Sequence, residues 1–565
     1  MSEMILPGVY IEERPEGLIS AGQITVGNVG MVGTARKGKP NTVVQLGSYA
    51  DAVAAFGTYD AYDPFSGTPA LSLVRGLELA FNNGASRVYA VRVAGNTAAT
   101  AARVLKADDN TDALTLAAPS AGSWGNDIEV NVWDASTAAV VHNESHPGTG
   151  GAVQLNRTVV ANDPRTRIRV LKGGVLTALS VKYDPDAAVA GSAVIDTSGG
   201  SVTFFAGEAP TAADTVTVTY VVPAASARRV TLRNGPVTET FTVADLAHLE
   251  SQLENPDTPS RLATATVVAG QGAKLPKKSG AEDEFKKFGA DGNTAGTDDP
   301  AASPADYKEG LDRLANENVH IVVAAGQSAD VIADVLLSHV QNASTDLNRR
   351  ERIAVVGSKA VNSVQAVPAP PVTSGRVIYV APGVRANDAV AKKAVELPGS
   401  YAAAAVAGML SARAPHVSLT NKQMAGVSGV VPKPSPSDLS ALVENRVLAL
   451  EERNGIRLVK GITTDDPGGP FRQITTRRIV DYARFGVRSA AQPFIGLLNN
   501  DRVRKAMKGA ISGFLAGMVD DEMLVAYELD VTATRDEEIR GIARVTMTVK
   551  PTFSIDYIKV TMFLG

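Results

Sequence analysis

Cysteine is absent from all 565 residues. That removes disulfides, thiolate metal sites and cysteine nucleophiles together, and it leaves no sign of an oxidising compartment. Long apolar runs are missing too. The most apolar stretch, YAAAAVAGML from Tyr401, is half the roughly 20 residues that a membrane-spanning helix needs, so no membrane insertion is expected. The opening residues MSEMILPGVYIEE hold no basic region followed by an apolar one. No signal peptide is therefore expected, and a soluble protein made in the cytoplasm is the default. Positive charge is not in excess: the formal net charge is −4, whereas phosphate backbones require a clustered basic surface. Direct nucleic-acid binding is not expected. What is present is a globular composition, 44% hydrophobic, in a chain long enough for about four domains.

From Gly22 the sequence reads as an α/β core. Ile24, Val26, Val29 and Val32 suggest a buried strand, YADAVAAFG a short helix stopped by Gly57, and ALSLVRGLELAFNNG a longer one. The longer helix has Leu73, Leu77 and Ala80 on one face and Asn83-Gly84 as its stop. SRVYAVRVAG then reads as a strand, completing a βαβ pattern. The texture changes at about residue 100. DIEVNVW, VQLNRTVV, RIRVL, SVTFF, TVTVTYVV and RRVTL are short alternating runs between Gly-rich turns, the pattern of an all-β sandwich. Residues 165–223 read as an extra β subdomain within it. The segment KLPKKSGAEDEFKKFGADGNTAGTDDPAASPADY reads as an exposed loop. Beyond it NVHIVVAAG, ERIAVVG and GRVIYVAPG have the near-continuous apolarity of doubly covered parallel strands. SADVIADVLLSHV reads as a helix with Val331, Val335 and Leu336 inward, and the last hundred residues as two helices followed by a β-rich end.

No catalytic constellation is recognisable. Gly33 to Lys39 fits P-loop spacing as far as the lysine, but Pro40 stands where a Ser or Thr should hold Mg²⁺ and no helix follows. A glycine-rich turn is the preferred reading over an NTPase. Gly27, Gly30 and Gly33 recur every third residue, as close backbone packing would require. Asp291, Asn293, Asp298 and Asp299 resemble a calcium loop until its twelfth position, which is Ala302. Of the six histidines, His142, His146, His248, His320, His339 and His416, only the first two approach ligand spacing, and they lie in a Gly/Ser-rich stretch. No metal, cofactor or enzymatic activity is expected.

Two features point to interaction instead. Between Arg472 and Lys508 stand nine basic residues, Arg472, Arg477, Arg478, Arg484, Arg488, Arg502, Arg504, Lys505 and Lys508, against Asp481 and Asp501. Part of this segment, DRVRKAMKGAISGFLAGM, is an amphipathic helix with Val503, Met507, Ile511, Phe514, Leu515 and Met518 as its stripe. Its cations gather in the first turns, where the helix dipole disfavours them, which suggests an anionic partner. The second feature is a pair of terminal strands. In LPGVYIEERPEG, Val9 and Ile11 alternate with Tyr10 and Glu12, Pro15 blocks continuation, and no hairpin partner follows. In PTFSIDYIKVTMFLG, Phe553, Ile555, Tyr557 and Phe563 alternate with Ile558, Val560, Met562 and Leu564. A strand apolar on both faces should be covered on both.

Taken in order, PGVYIEE, VGMVGTARKGKPNTVVQLGSYADAVAAFG, AGSWGNDIEVNV, FGADGNTAGTDDPAASPADYKEGLDRLANENVHIVVAAG, GIRLVKGITT and ITTRRIVDYARFGV resemble the sheath proteins of contractile phage tails and related contractile injection systems. Lys39-Pro40-Asn41 varies the usual wording. The resemblance implies an N-terminal arm (1–20), the first part of an α/β core (21–100), and an inserted β-sandwich (101–262). A subtilisin-like α/β domain without catalytic residues (263–455) and a C-terminal domain with a terminal arm (456–565) follow. It implies a structural subunit that polymerises helically with itself around a tail tube and contracts to drive that tube through a cell envelope. Baseplate and tail terminator proteins would be further partners, and the place of action a virion tail or injection particle assembled in the host cytoplasm. Within this frame the strands Val9, Tyr10, Ile11 and Glu12 and the C-terminal strand are expected to pair between subunits. Arg502, Arg504, Lys505 and Lys508 are expected to face the tube. The alternative is a β-rich adhesin or receptor-binding protein, favoured only by residues 114–243.

Overall fold

A computed structural model describes residues 27–63 and 69–563. Ile24, Val26, the expected opening strand (Val9, Tyr10, Ile11 and Glu12) and Leu564 lie outside the described residues. The chain divides into two compact units, one of residues 36–39 and 96–299 and the other of the remainder. The fold is mixed α/β with several sheets.

In the larger unit the centre is an eight-stranded sheet, in the order Val43–Leu46, Val88–Val93, Val29–Thr34, Ile321–Ser328, Ile353–Gly357, Val377–Ala381, Leu448–Glu452 and Ile456–Leu458. The inner pairings are parallel and the two outermost antiparallel. Pleating sends Ile321, Val323 and Ala325 to one face and Val322 and Ala324 to the other, and each face has its own apolar cluster. Helices Tyr49–Phe56, Leu73–Asn82 and Gly399–Ser411 cover the first face; Pro304–Arg313, Ala329–Ala343 and Pro436–Glu444 cover the second. The expected core of 21–100 is thus not separate from the α/β segment: Val29–Thr34 lies hydrogen-bonded between Val88–Val93 and Ile321–Ser328. YAAAAVAGML is a core helix buried all round. Among the described residues no helix is long and apolar enough to cross a membrane.

Close packing accounts for the spaced glycines. A Cβ on Gly30 would come within 2.8 Å of Val319 Cγ1, and one on Gly33 within 3.0 Å of Leu73 Cα. One helix face differs from expectation. Leu336 is inward as expected and Val335 packs partly buried beside it, but Val331 points outward, 47% exposed, and the other buried residues of Ala329–Ala343 are Ala329, Ile332, Ala333, Val340 and Ala343. The apolar positions of this helix exceed one stripe, and contact with the sheet selects among them.

The same unit ends in helices Ile474–Ala491 and Asp501–Asp520 and a hairpin of Leu524–Thr532 with Arg544–Pro551. Met507, Ile511, Leu515 and Met518 bury the expected stripe against Ile479 and Ala483. Gly486 admits the ring of Phe514, whose Cζ would lie 1.9 Å from a Cβ there.

The smaller unit is mostly β. A four-stranded sheet (Val237–Val243, Arg228–Asn234, Glu129–Asp134, Lys286–Lys287) and a three-stranded one (Thr264–Val267, Asp112–Ala117, Ala102–Lys106) share one apolar cluster with helix Leu246–Leu253. Residues 263–299 therefore stay with the β-rich unit rather than opening the next domain, and Phe288, within the expected exposed loop, is buried. A seven-stranded sheet has its own cluster. It begins earlier than residue 165, because Thr215–Val222 pairs along its length with Ala139–Pro147 and Ser201–Phe204 pairs with Val153–Gln154. The polar sequence HNESHP concealed the first of these strands, and only two residues of VQLNRTVV are extended.

Candidate assembly surfaces

The basic segment is largely neutralised within its own unit. Arg477 Nη2 donates to Asp481 at 2.6 Å, and Arg376 donates to the same carboxylate at 2.9 Å. Arg478 is buried and donates to the Arg413 carbonyl at 2.9 Å, and burial lowers its pKa to about 10. Arg484 and Arg488 converge on Asp346 at 3.1 and 3.2 Å and on Glu351. Arg472 Nη2 reaches the Val443 carbonyl at 3.1 Å.

On the amphipathic helix, Asn500 caps the first turn through Val503 N (3.0 Å), which satisfies a donor that a bare helix end leaves open. Arg504 pairs with Glu538 at 2.9 Å, Lys505 with Asp501 at 2.7 Å and Lys508 with Asp530 at 3.2 Å. Arg504 is partly buried by its partner, whereas Arg502, Lys505 and Lys508 are exposed. The unfavourable placement of cations near the positive end of the dipole is thus compensated inside the subunit, by Asp501 in the helix's own first turn and by Asp530 and Glu538 from beyond the helix. An exposed apolar patch adjoins these cations and was not anticipated. Ile495, Leu497 and Leu498 precede the helix, and Ile539 and Ile542 join them through a hydrogen bond from Asn499 Nδ2 to the Ile542 carbonyl (2.9 Å) and the Arg504–Glu538 pair. Its only sequence signal is the short run FIGLL at a turn.

The terminal segment inverts the usual distribution of polarity. After Pro551 it forms no strand within its own chain up to residue 563. Ile555 is 81% exposed and Phe563 89%, and Phe553, Tyr557, Ile558, Val560 and Met562 are also exposed. The side chain of Asp556, by contrast, is only 10% exposed and lies 3.4 Å from Lys460. The adjacent hairpin has only two strands, so each strand has one unpaired edge among the described residues.

The remaining candidates have structural partners. Gly38 turns with φ 98° and the chain runs on to strand Val43–Leu46, while Lys37 stands 5.1 Å from the Trp124 ring centre. Asp291 accepts from Arg103 (3.1 Å), Asn293 from Val104 N (2.8 Å), Asp298 from Ser123 N (2.7 Å) and Asp299 from Thr97 N (2.8 Å). These four residues fasten a loop. His146 pairs with Glu144 at 2.7 Å. Glu144 also meets Arg157, and Asp245 takes the other side of that guanidinium at 2.5 and 2.7 Å.

The comparisons with known proteins agree with one another. A family model described as the phage tail sheath protein central domain matches residues 301–464, and one described as the phage tail sheath C-terminal domain matches 466–565. A tail sheath protein of Mycobacterium phage Bxz1 is 25% identical over 273 residues, which is 45% of this chain and 45% of that protein. The match therefore spans less than half the length of that relative. Among solved structures, a sheath tail protein from Desulfitobacterium hafniense aligns over 96% of this chain and 100% of its own, with TM-score 0.57 and 14% identity. One from Listeria innocua aligns over 95% of both chains, with TM-score 0.58 and 13% identity. These are likenesses of fold. The two domain matches run in order through the second half of the parallel sheet, the paired helices and the terminal hairpin, and residues 301–464 and 466–565 carry the central and C-terminal domains of the phage tail sheath family.

Proposed function

We propose that this chain is the structural subunit of a contractile tail sheath, which polymerises helically around an inner tube and shortens to drive the tube through a target envelope. The observation that carries the reading is the terminal segment. An isolated subunit loses by exposing a run of large apolar side chains beside an open two-stranded sheet, and a neighbouring copy can cover both. Each such side chain buried stabilises by about 1.5–3 kcal/mol, enough in sum to offset ordering a short arm at roughly 1–2 kcal/mol per residue. Val9, Tyr10, Ile11 and Glu12, with Phe553, Ile555, Tyr557, Ile558, Val560, Met562 and Leu564, are the strands proposed to exchange between copies. Head-to-tail contacts of this kind extend into helical filaments.

The tube is proposed to lie against the exposed Arg502, Lys505 and Lys508 and the neighbouring apolar patch, with Arg504 holding the patch together. We read the smaller unit as a β-sandwich insertion and the segment 321–458 as a subtilisin-like layer that works without catalysis. Baseplate and terminator proteins would meet the ends of the polymer, in a tail or injection particle assembled in the host cytoplasm. The adhesin reading gains no support from the family matches. Negative-stain electron microscopy of the purified chain tests the proposal. Wide, striated tubes are expected, and discrete globular particles at all concentrations would overturn it.

A further inference from the structure

Among the described residues, the apolar arm is fastened to its own subunit around one acid. Thr552 N donates to the Met523 carbonyl at 3.1 Å, the last contact of the hairpin. Four residues later the Asp556 carboxylate accepts from Thr420 Oγ1 (3.3 Å), Ser554 Oγ (3.2 Å) and Gln473 Nε2 (3.5 Å), and Lys460 Nζ stands 3.4 Å away. Lys460 Nζ also donates to the Tyr557 hydroxyl at 3.0 Å and lies 4.8 Å from the centre of its ring. The three residues outside the arm come from three elements. Thr420 follows helix Gly399–Ser411, Lys460 follows strand Ile456–Leu458, and Gln473 precedes helix Ile474–Ala491. Thr420 is itself fixed, since its hydroxyl also accepts from Gly461 N at 3.2 Å.

Carboxylates are among the side chains least often buried, and a buried one needs a cation and hydrogen-bond donors around it. Here the one acid in the arm has its side chain largely covered, 10% exposed, with both beside it, while the apolar residues on either side of it stay exposed. Hydrophobic collapse of the arm onto its own subunit would give the opposite arrangement. The contact therefore selects a position for the chain without consuming its apolar surface.

We propose that Asp556, with Lys460 and Thr420, is a latch that sets where the C-terminal arm leaves its own subunit and so preorganises it for a second copy of this chain. The inference rests on the strand-exchange reading above. With the latch closed, only the residues beyond Tyr557 remain to be ordered when the arm pairs, and the conformational cost of association falls. Asp556 is in this sense a positioning residue.

Two variants of the full chain separate the latch from the strand exchange it serves. A chain ending at Tyr557 keeps the latch and loses the outer part of the arm, residues 558–565, with most of its apolar side chains; it should fold and form no tubes. Asp556→Ala keeps the arm and loses the latch. Its melting temperature should stay unchanged, while the concentration needed for tube formation rises roughly tenfold, the order expected for loss of preorganisation. Trypsin should also cut after Lys559 several-fold faster in the unassembled variant, and Asp556→Asn, which retains an acceptor for Thr420 and Ser554, should lie between the two. If the shortened chain forms no tubes but Asp556→Ala assembles at the concentration of the unaltered chain, the latch is overturned and strand exchange stands. If the shortened chain assembles normally, both readings fall. Should Asp556→Ala not fold, Lys460→Met opens the latch from the other side, and unchanged assembly there counts equally against it.

Discussion

Arg75 sits within the apolar helix Leu73–Asn82 and is only 2% exposed. Its guanidinium donates to Asp388 at 2.9 Å and to the Asp60 carbonyl at 2.7 Å, and it lies 4.1 Å from the Tyr59 ring centre. Burial by itself would raise the Asp388 pKa. The backbone N–H groups of Ala391 and Tyr62 and the charge of Arg75 outweigh it and hold the pKa below the usual range. The stability this contributes is present above the unfolded carboxylate pKa and is lost as pH falls through the folded value. Asp388→Ala strands a buried cation and should cost about 3–5 kcal/mol in urea unfolding at neutral pH; a change below 1 kcal/mol would show that the pair contributes little.

A half-buried histidine titrates at milder pH. His339 Nε2 accepts from the buried Arg352 at 2.7 Å. Burial, then the charge of Arg352, lowers its pKa to about 4 from an ordinary 6.5, with Lys308 acting in the same direction and Asp312 opposing. The unfolded chain takes up this proton first, so the contribution is present above pH 6.5 and is lost as pH falls towards 4. His339→Gln, which keeps an acceptor without a titrating group, should lose less stability between neutral pH and about pH 5. Equal losses in both proteins would assign the acid sensitivity to other groups.

At the scale of elements, helices meet through small residues. A Cβ on Gly408 would lie 2.2 Å from the Ala80 carbonyl, where helix Gly399–Ser411 crosses Leu73–Asn82. Gly408→Ala should therefore destabilise by about 1–3 kcal/mol despite alanine's better helix propensity, and a higher melting temperature would contradict this contact. The seven-stranded sheet makes a different kind of prediction. Ala139 and Val222 face each other across paired strands, so a short linker can join residues 138 and 223. Replacing 139–222 should leave the remaining chain folded and able to form thinner-walled tubes. Replacing 165–223 instead strips Ala139–Pro147 of its partner and should give aggregation. Equal solubility of the two deletions would show that the sheet boundary does not matter.

At the scale of the whole molecule, charge and assembly have to be separated. Reversing Arg504 would set a glutamate against Glu538 and so disturb the hairpin, which makes it a poor probe of the tube surface. Arg502→Glu with Lys505→Glu alters only exposed positions. Exposed pairs are worth about 0.2–1 kcal/mol each, so the double variant should fold normally, weaken binding of extended sheath to tubes and increase its salt sensitivity. Co-sedimentation with tubes equal to that of the unaltered chain would place the tube elsewhere.

Much of the local structure was legible from residue order. The stop of Leu73–Asn82 at Asn83-Gly84 follows from glycine's tolerance of positive φ, and the continuous apolarity of IAVVG and VIYVA follows from burial on two faces. The order of motifs was enough to indicate the sheath family. Partnership was not legible. Pleating tells which residues are buried but not which strand lies alongside, so the insertion of Val29–Thr34 next to Ile321–Ser328, and of Ala139–Pro147 beside Thr215–Val222, depended on packing across the chain. Charge behaved in the same way. The basic segment could be counted in sequence, but Asp346, Glu351, Asp530 and Glu538 reach it only through the fold, because Coulomb attraction depends on distance in space rather than along the chain.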